Sequence, residues 1–310
     1  MSHLIVTVDT EEEGLWGGRY RATGNTVENI QAIPRFQELC DRYGVRPTYL
    51  VDAPVVEDDR AAAVLGAIHD DGRCEIGAHV HPWCNPPFFP PHDTIEPDGD
   101  SANSFLLNLP EHVQRAKIEW LTEAIETRFG RRPTSFRAGR YGLDIVGARI
   151  LAGLGYRVDS SVIPFTDYSA EGGPDFSAAP YRPYTIGEDD LCTPARPGAA
   201  TGSSVKNGSV TNGSMATGSA LNGSLLEVPV TVGYSRPNFE RAHALRRLAL
   251  RPWPKRFRAV GLLDRLGLAR RIKFSPEQAT ERQLRQVIDA CLANGTETLV
   301  LMLHSSSLAA

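Results

Sequence analysis

Ionisable side chains recur where short apolar runs end. Asp9, Glu11, Glu12 and Glu13 follow the run Leu4–Val8; His79 and His81 follow Cys74–Ala78; Arg137, Arg140 and Tyr141 close and follow Thr134–Arg137; Asp159 lies at the end of Tyr156–Ser160; His304 follows Glu297–Leu303. Two of these groups have spacing that suits metal chemistry. In extended backbone, residues i and i+2 point the same way. His79 and His81 therefore offer two imidazoles to one cation, and Asp9 and Glu11 offer two carboxylates in the same manner. Two imidazoles and one carboxylate oxygen leave a divalent ion a position for water, the arrangement of a catalytic zinc site. Taken singly, each motif has a plainer reading: an H-x-H pair also fits two polar loop residues, and the acidic run fits a solvated turn.

The elements that must carry these groups alternate. Strand-like runs Leu4–Val8, Pro47–Val51, Cys74–Ala78, Thr134–Arg137, Tyr156–Ser160, Leu225–Val232 and Glu297–Leu303 are separated by helical patterns over about 27–43, 61–70, 110–129, 143–154 and 275–293. Such alternation predicts a parallel α/β sheet or barrel. In those folds the carboxyl ends of the strands form the ligand face, and different strands deliver different catalytic groups. Residues 80–109 form a proline- and aspartate-rich loop whose length suits a functional role.

Composition narrows the function classes. The 310 residues are 41% hydrophobic and 23% charged with a formal net charge of −4, so bulk attraction to nucleic acid or to an anionic membrane is not expected. No apolar run approaches the ~20 residues of a membrane span, and the N-terminus lacks the basic start of a signal peptide; a cytoplasmic protein is expected. The five cysteines are scattered without C-x-x-C, which predicts reduced thiols. There is no P-loop, no G-x-G-x-x-G and no G-x-S-x-G, against nucleotide binding and serine-hydrolase chemistry.

Two segments break the pattern. Residues 197–224 are Gly, Ser, Asn, Ala and Thr, with Asn207, Asn212 and Asn222 in N-x-S sequons; a flexible low-complexity insertion is expected. Residues 241–273 are strongly basic with Asp264 the only acid, and read as a helical, solvated segment. Cys84 is a further candidate ligand beside the histidines. Trp83, Phe88 and Phe89 fit either sugar stacking or loop packing.

In chain order, Thr-Val-Asp9-Thr-Glu11, Glu-Ile-Gly-Ala-His79-Val-His81, Phe-Arg137-Ala-Gly-Arg140-Tyr141-Gly, Val-Asp159-Ser and Leu-Met-Leu-His304 resemble the five motifs of the polysaccharide deacetylases, the NodB-homology proteins of carbohydrate esterase family 4. The phrases His-Pro-Trp-Cys-Asn-Pro-Pro and Leu-His-Ser-Ser-Ser-Leu resemble an atypical branch. The resemblance implies an irregular (β/α)7 barrel spanning 1–310 as one deacetylase domain, a divalent metal cofactor, most simply zinc, and a carbohydrate or small acetylated substrate. It implies Asp9 as catalytic base, Arg137 as its ion-pair partner, Asp159 as the residue orienting His304, and His304 as general acid. Tyr141 falls where the family places an oxyanion-hole amide, with Arg140 and Trp83 beside the substrate. Thr10 stands where the family has its metal-binding aspartate, so Glu11 becomes the carboxylate ligand. Trp83 stands where the second metal histidine is usual, so His81 joins His79. The implied activity is removal of N-acetyl or O-acetyl groups from a carbohydrate. Two alternatives remain open: hydrolysis of a non-sugar amide or cyclic imide on the same fold, and a catalytically silent glycan-binding protein.

Overall fold

Seven strands run parallel in one curled sheet. The computed structural model describes residues 2–15, 20–90, 92–93, 101–196, 225–251, 253 and 259–309. The strands are β1 (His3–Thr10), β2 (Thr48–Val51), β3 (Glu75–Val80), β4 (Ser135–Ala138), β5 (Val158–Asp159), β6 (Tyr184–Thr185), β7 (Leu226–Glu227), β8 (Val232–Tyr234), β9 (Arg271–Lys273) and β10 (Thr298–His304). The main sheet has the order β10-β1-β2-β3-β4-β5-β7-β6. All neighbours are parallel except β6, which lies antiparallel on β7. β8 and β9 form a separate antiparallel ribbon.

The two edges approach each other through the chain that leaves β7. Val230 N–H donates to Val162 O (3.0 Å), Thr231 exchanges hydrogen bonds with Val300 of β10, and Met302 N–H donates to Phe274 O (3.2 Å). The sheet is thus a mixed α/β half-barrel closed by irregular backbone, as the expected irregular (β/α)7 barrel requires. Apolar β-branched runs suit parallel strands covered on both faces; β1 and β2 are buried along most of their length.

Helices α1 (Ile33–Arg42), α2 (Ala53–Glu57), α3 (Asp59–Asp70), α4 (Glu111–Phe129), α5 (Ile145–Gly153), α6 (Phe239–Ala249), α7 (Ala259–Arg265) and α8 (Glu281–Ala293) complete the described elements used here. Side-chain caps set several starts: Asp58 on α3, Asp144 on α5, and a Thr280–Gln283 capping box on α8.

Some expected boundaries differ. The run Leu225–Val232 is two strands, because β7 leaves the sheet to close the barrel and β8 then pairs with β9. The last helix starts after Thr280 and not at Ser275-Pro276; the intervening turn carries Glu277 to His304. The basic segment contains α6 and α7 but ends in strand β9. The insertion 197–224, with its sequons, lies outside the described residues, as do 94–100 of the long loop and 254–258 of the basic segment. No described helix is long and apolar enough to cross a membrane. The five cysteines are free thiols.

Register brings the chemistry together. Asp9 pairs across to His304, His79 to Arg137, and Asp159 to Glu227.

Candidate active site

The first carboxylates lie where β1 ends. Glu11 is buried, and its Oε2 is 3.3 Å from His79 Nε2 and 3.3 Å from His81 Nε2. The outer nitrogens of both rings are already committed. His79 Nδ1 is 2.9 Å from the carbonyl of Arg137, and His81 Nδ1 is 2.8 Å from Glu12 Oε2. A carbonyl or carboxylate only accepts, so each Nδ1 carries a proton, and in the neutral ring, the form that binds a metal, Nε2 turns a lone pair inward. Three electron-rich atoms therefore face one another in a buried pocket. Burial opposes charge on His81, yet Glu12 and Glu11 outweigh it and hold the ring well above the ordinary imidazole range; the pocket favours positive charge. Ligand atoms ~2.1 Å from one tetrahedral ion stand roughly 3.4 Å apart. The donor set and its spacing fit a divalent cation held by Glu11, His79 and His81.

A supporting shell fixes His81. Glu12 accepts from Trp83 Nε1 (2.8 Å) as well as His81, and its own backbone N–H donates to Asp52 Oδ2 (2.9 Å). Burial and the neighbouring Glu12 raise the carboxyl of Asp52 far above its usual range, so Asp52 keeps a proton while Glu12 stays ionised. Trp83 is only 2% exposed and stacks on His81 with ring centroids 4.4 Å apart. Its indole therefore braces the histidine and the carboxylate behind it; it is not the open sugar platform that its sequence position suggests. Cys84 lies in the same shell. Burial and Glu12 push its thiol far up, and the protonated sulfur lies 3.5 Å from Glu12 Oε1 as a donor; with Glu12, Asp52 and His81 it forms a second buried group of ligand atoms beside the first. Gly139 completes the fit, since a Cβ there would lie 2.3 Å from His81 Cδ2.

Asp9 sits beside this cluster. Arg137, fully buried, binds Asp9 Oδ1 and also donates to Ser160 O (2.8 Å), Ser160 Oγ (2.9 Å) and Thr7 Oγ1 (3.0 Å). Burial alone would raise the Asp9 carboxyl, but Arg137, His79 and His304 together hold it well below the usual carboxylate range. Its other oxygen, Oδ2, is 3.9 Å from His304 Nε2.

His304 ends β10 with Nε2 toward Asp9 and, at 4.0 Å, toward Glu11 Oε1. Its Nδ1 is 2.8 Å from Glu277 Oε2, and its backbone N–H donates to Glu277 Oε1 (2.6 Å). Glu277 is thus the residue that orients His304. Asp159 is not: its Oδ1 accepts from Ser161 (2.6 Å), and it shares a buried site with Glu227. Burial raises both of those carboxyls, and Asp159 adds to the rise of Glu227. The cause of the difference is register: the two-residue β5 places Asp159 opposite Glu227, whose carboxyl shares its buried site.

The turn after β4 contributes the opposite wall. Arg140 and Tyr141 both have left-handed backbone, with φ of 51° and 61°, a conformation that costs non-glycine residues of order 1 kcal/mol or more each and recurs at functional sites. It turns both side chains to the cavity. The Arg140 guanidinium is bound by Ser104 and Glu171 and lies 4.1 Å from the centroid of Phe105. The Tyr141 hydroxyl accepts from Lys273 Nζ (2.9 Å).

Asp9, Glu11, His79, His81, Trp83, Arg140, Tyr141 and His304 all border one cavity of about 230 Å³, whereas Arg137 and Asp159 are buried and do not border it. Tyr20, Phe105, Tyr168 and Lys273 complete its walls, whereas Phe88 and Phe89 do not border it. Sequence reasoning named Glu12 in the acidic run without giving it a role, and passed over Asp52, Glu277 and Lys273. Glu277 sits in a Ser-Pro-Glu run that reads as a helix start, and Lys273 closes a segment that reads as solvated.

No sequence-family profile matches the chain, and no curated protein matches it. Among solved structures, the fold resembles polysaccharide deacetylases at low identity. A presumptive polysaccharide deacetylase from Mycobacterium smegmatis is 14% identical, with 98% of this chain and 78% of that one covered and a TM-score of 0.48. The chitin deacetylase of Colletotrichum lindemuthianum is 19% identical over 54% of this chain and 58% of its own, with a TM-score of 0.34. A CE4 family pseudoenzyme from Bacillus anthracis is 12% identical over 55% and 46%, with a TM-score of 0.35.

Proposed function

We propose that the chain is a metal-dependent hydrolase that removes N-acetyl or O-acetyl groups from a carbohydrate. The observation that carries this reading is the meeting of Glu11, His79 and His81 at 3.3 Å spacings with lone pairs inward, flanked by an ionised carboxylate and an oriented imidazole. A divalent cation held there supplies Lewis acidity toward water and toward an acyl oxygen.

The remaining roles belong to the protein's own groups. Arg137 occupies Asp9 Oδ1 and keeps the carboxylate ionised, so Oδ2 is the atom that takes a proton from the attacking water. His304, with its Nδ1–H fixed by Glu277, is set to deliver a proton from Nε2 to the departing nitrogen or oxygen. Asp9 and His304 approach from β1 and β10, neighbours in the sheet, so base and acid flank the same point. Tyr20, Tyr141, Tyr168 and Phe105 give the cavity aromatic faces, and aromatic walls with a few polar groups suit a sugar ring. The motif resemblance supports an acetylated saccharide as the substrate.

The test is acetate release from N-acetylated and O-acetylated saccharides by the metal-loaded protein. Loss of activity in Asp9→Asn and in His79→Ala is expected. Wild-type rates in both variants would rule the reading out, and turnover of a non-sugar amide or imide alone would replace the carbohydrate by that substrate.

A further inference from the structure

Lys273 is a half-buried cation on the cavity wall whose charge meets no carboxylate. The two fully buried cations show what the fold normally arranges. Arg137 is bound to Asp9, and Lys117 has Asp93 at 2.9 Å. Arg140, also on the cavity wall, is neutralised by Glu171. Lys273 has no carboxylate within 4.0 Å among the described residues; its hydrogen-bond partner there is the Tyr141 hydroxyl, 2.9 Å away. An ammonium group has three donors, so two are not taken up by Tyr141, and Lys273 borders the cavity that also holds Asp9, Glu11 and His304. Burial pulls its pKa down to about 8 against the pull of Asp9, which still leaves it charged in neutral solution.

The charge balance of the cavity adds to this. Asp9 is matched by Arg137, and Glu277 faces His304. A divalent ion would be matched by Glu11 together with the ionised Glu12 behind His81. Lys273 is then the cavity cation left without an anionic partner, and neutral saccharides leave it so.

We propose that Lys273, steadied by Tyr141, binds an anionic group of the substrate, so that the saccharide acted on carries a carboxylate on or beside the acetylated sugar. The inference rests on the hydrolase reading above for the word substrate, but its test does not. Metal-stripped full-length protein is titrated by calorimetry at pH 7 with N-acetylglucosamine and with two acidic counterparts, the C6 uronic acid and the C3 lactyl ether. A charge-assisted hydrogen bond predicts that at least one acid binds roughly 10- to 100-fold more tightly than the neutral sugar. That ratio falls to about one in Lys273→Met and returns in Lys273→Arg, with thermal melting confirming that both variants fold. Equal binding of all three sugars by the wild type, or a ratio that survives Lys273→Met, overturns the proposal. Absence of acetate release from every sugar by the metal-loaded wild type, with the binding ratio intact, would instead overturn the hydrolase reading and leave an acidic-glycan binder.

Discussion

Glu277→Gln isolates what orients the general acid. Glu277 accepts from four donors: the His304 ring at 2.8 Å, the His304 backbone N–H at 2.6 Å, the Ser307 hydroxyl at 2.5 Å and, more weakly, the Ser275 hydroxyl at 3.4 Å. Glutamine keeps the shape and an acceptor oxygen but removes the charge facing the imidazolium. A hydrogen bond to a charged group contributes about 1.5–3 kcal/mol, and each ~1.4 kcal/mol is tenfold in rate, so kcat is expected to fall roughly 10- to 150-fold. The pH profile gives a second readout. Burial disfavours charge on His304, yet Glu11, Glu277 and Asp9 raise its pKa above the ordinary value. A general acid works only while protonated, so the raised pKa extends activity toward alkaline pH, and activity fades as pH passes that value. Removing the Glu277 charge lets the pKa fall, and the alkaline limb moves to lower pH. The assay is kcat and kcat/KM for acetate release between pH 5 and pH 9 with Asp159→Asn in parallel. Wild-type kcat and an unmoved limb in Glu277→Gln, with both altered in Asp159→Asn, would refute the reasoning.

Three further outcomes follow from the packing. In Gly139→Ala the new Cβ, built 2.3 Å from His81 Cδ2 and 2.7 Å from Val80 O, displaces the imidazole; zinc affinity measured by competitive chelation drops about 10- to 100-fold while the circular dichroism spectrum is kept. Arg137→Met leaves Asp9 as an uncompensated buried charge, and urea unfolding shows a loss of about 3–5 kcal/mol. The Asp159–Glu227 pair binds its proton more tightly folded than unfolded, since both pKa values are raised. Its contribution to stability is therefore full at acid pH and lost as pH rises through the folded values; Glu227→Gln removes that titration and flattens the alkaline decline of the urea midpoint.

Much of the site was legible because parallel strands deliver side chains at their ends. Asp9, His79, His81, Arg137 and His304 each follow an apolar run, and the i, i+2 rule already paired the histidines. The parts that were not legible depend on register and on chain returns. Asp159 lies at a strand end as expected, yet a two-residue strand turns it to Glu227, and nothing in Val-Asp-Ser encodes that neighbour. Glu12 reads as one of five consecutive polar positions; its burial between His81, Trp83 and Asp52 arises only when three strand ends converge. Lys273 ends β9 and Glu277 lies in the turn between β9 and the last helix, where a basic run mimics surface and Ser-Pro-Glu mimics a helix start. In the fold, the seven parallel strands followed from alternation, whereas the closing of the barrel by Thr231 and Phe274 rests on isolated hydrogen bonds with no periodic signal.

The central claim is that Glu11, His79 and His81 form one cation site, and zinc titration followed by calorimetry tests it most directly. Chelator-stripped wild-type protein is expected to take up one equivalent per chain, with release of about one proton at neutral pH, because Glu12 and Glu11 hold the metal-free His81 protonated and its inward nitrogen must give up that proton to bind. Glu11→Gln, His79→Ala and His81→Ala should each lose that binding. A wild-type chain that takes up no zinc, manganese or cobalt, or variants that bind as tightly as the wild type, would contradict the account.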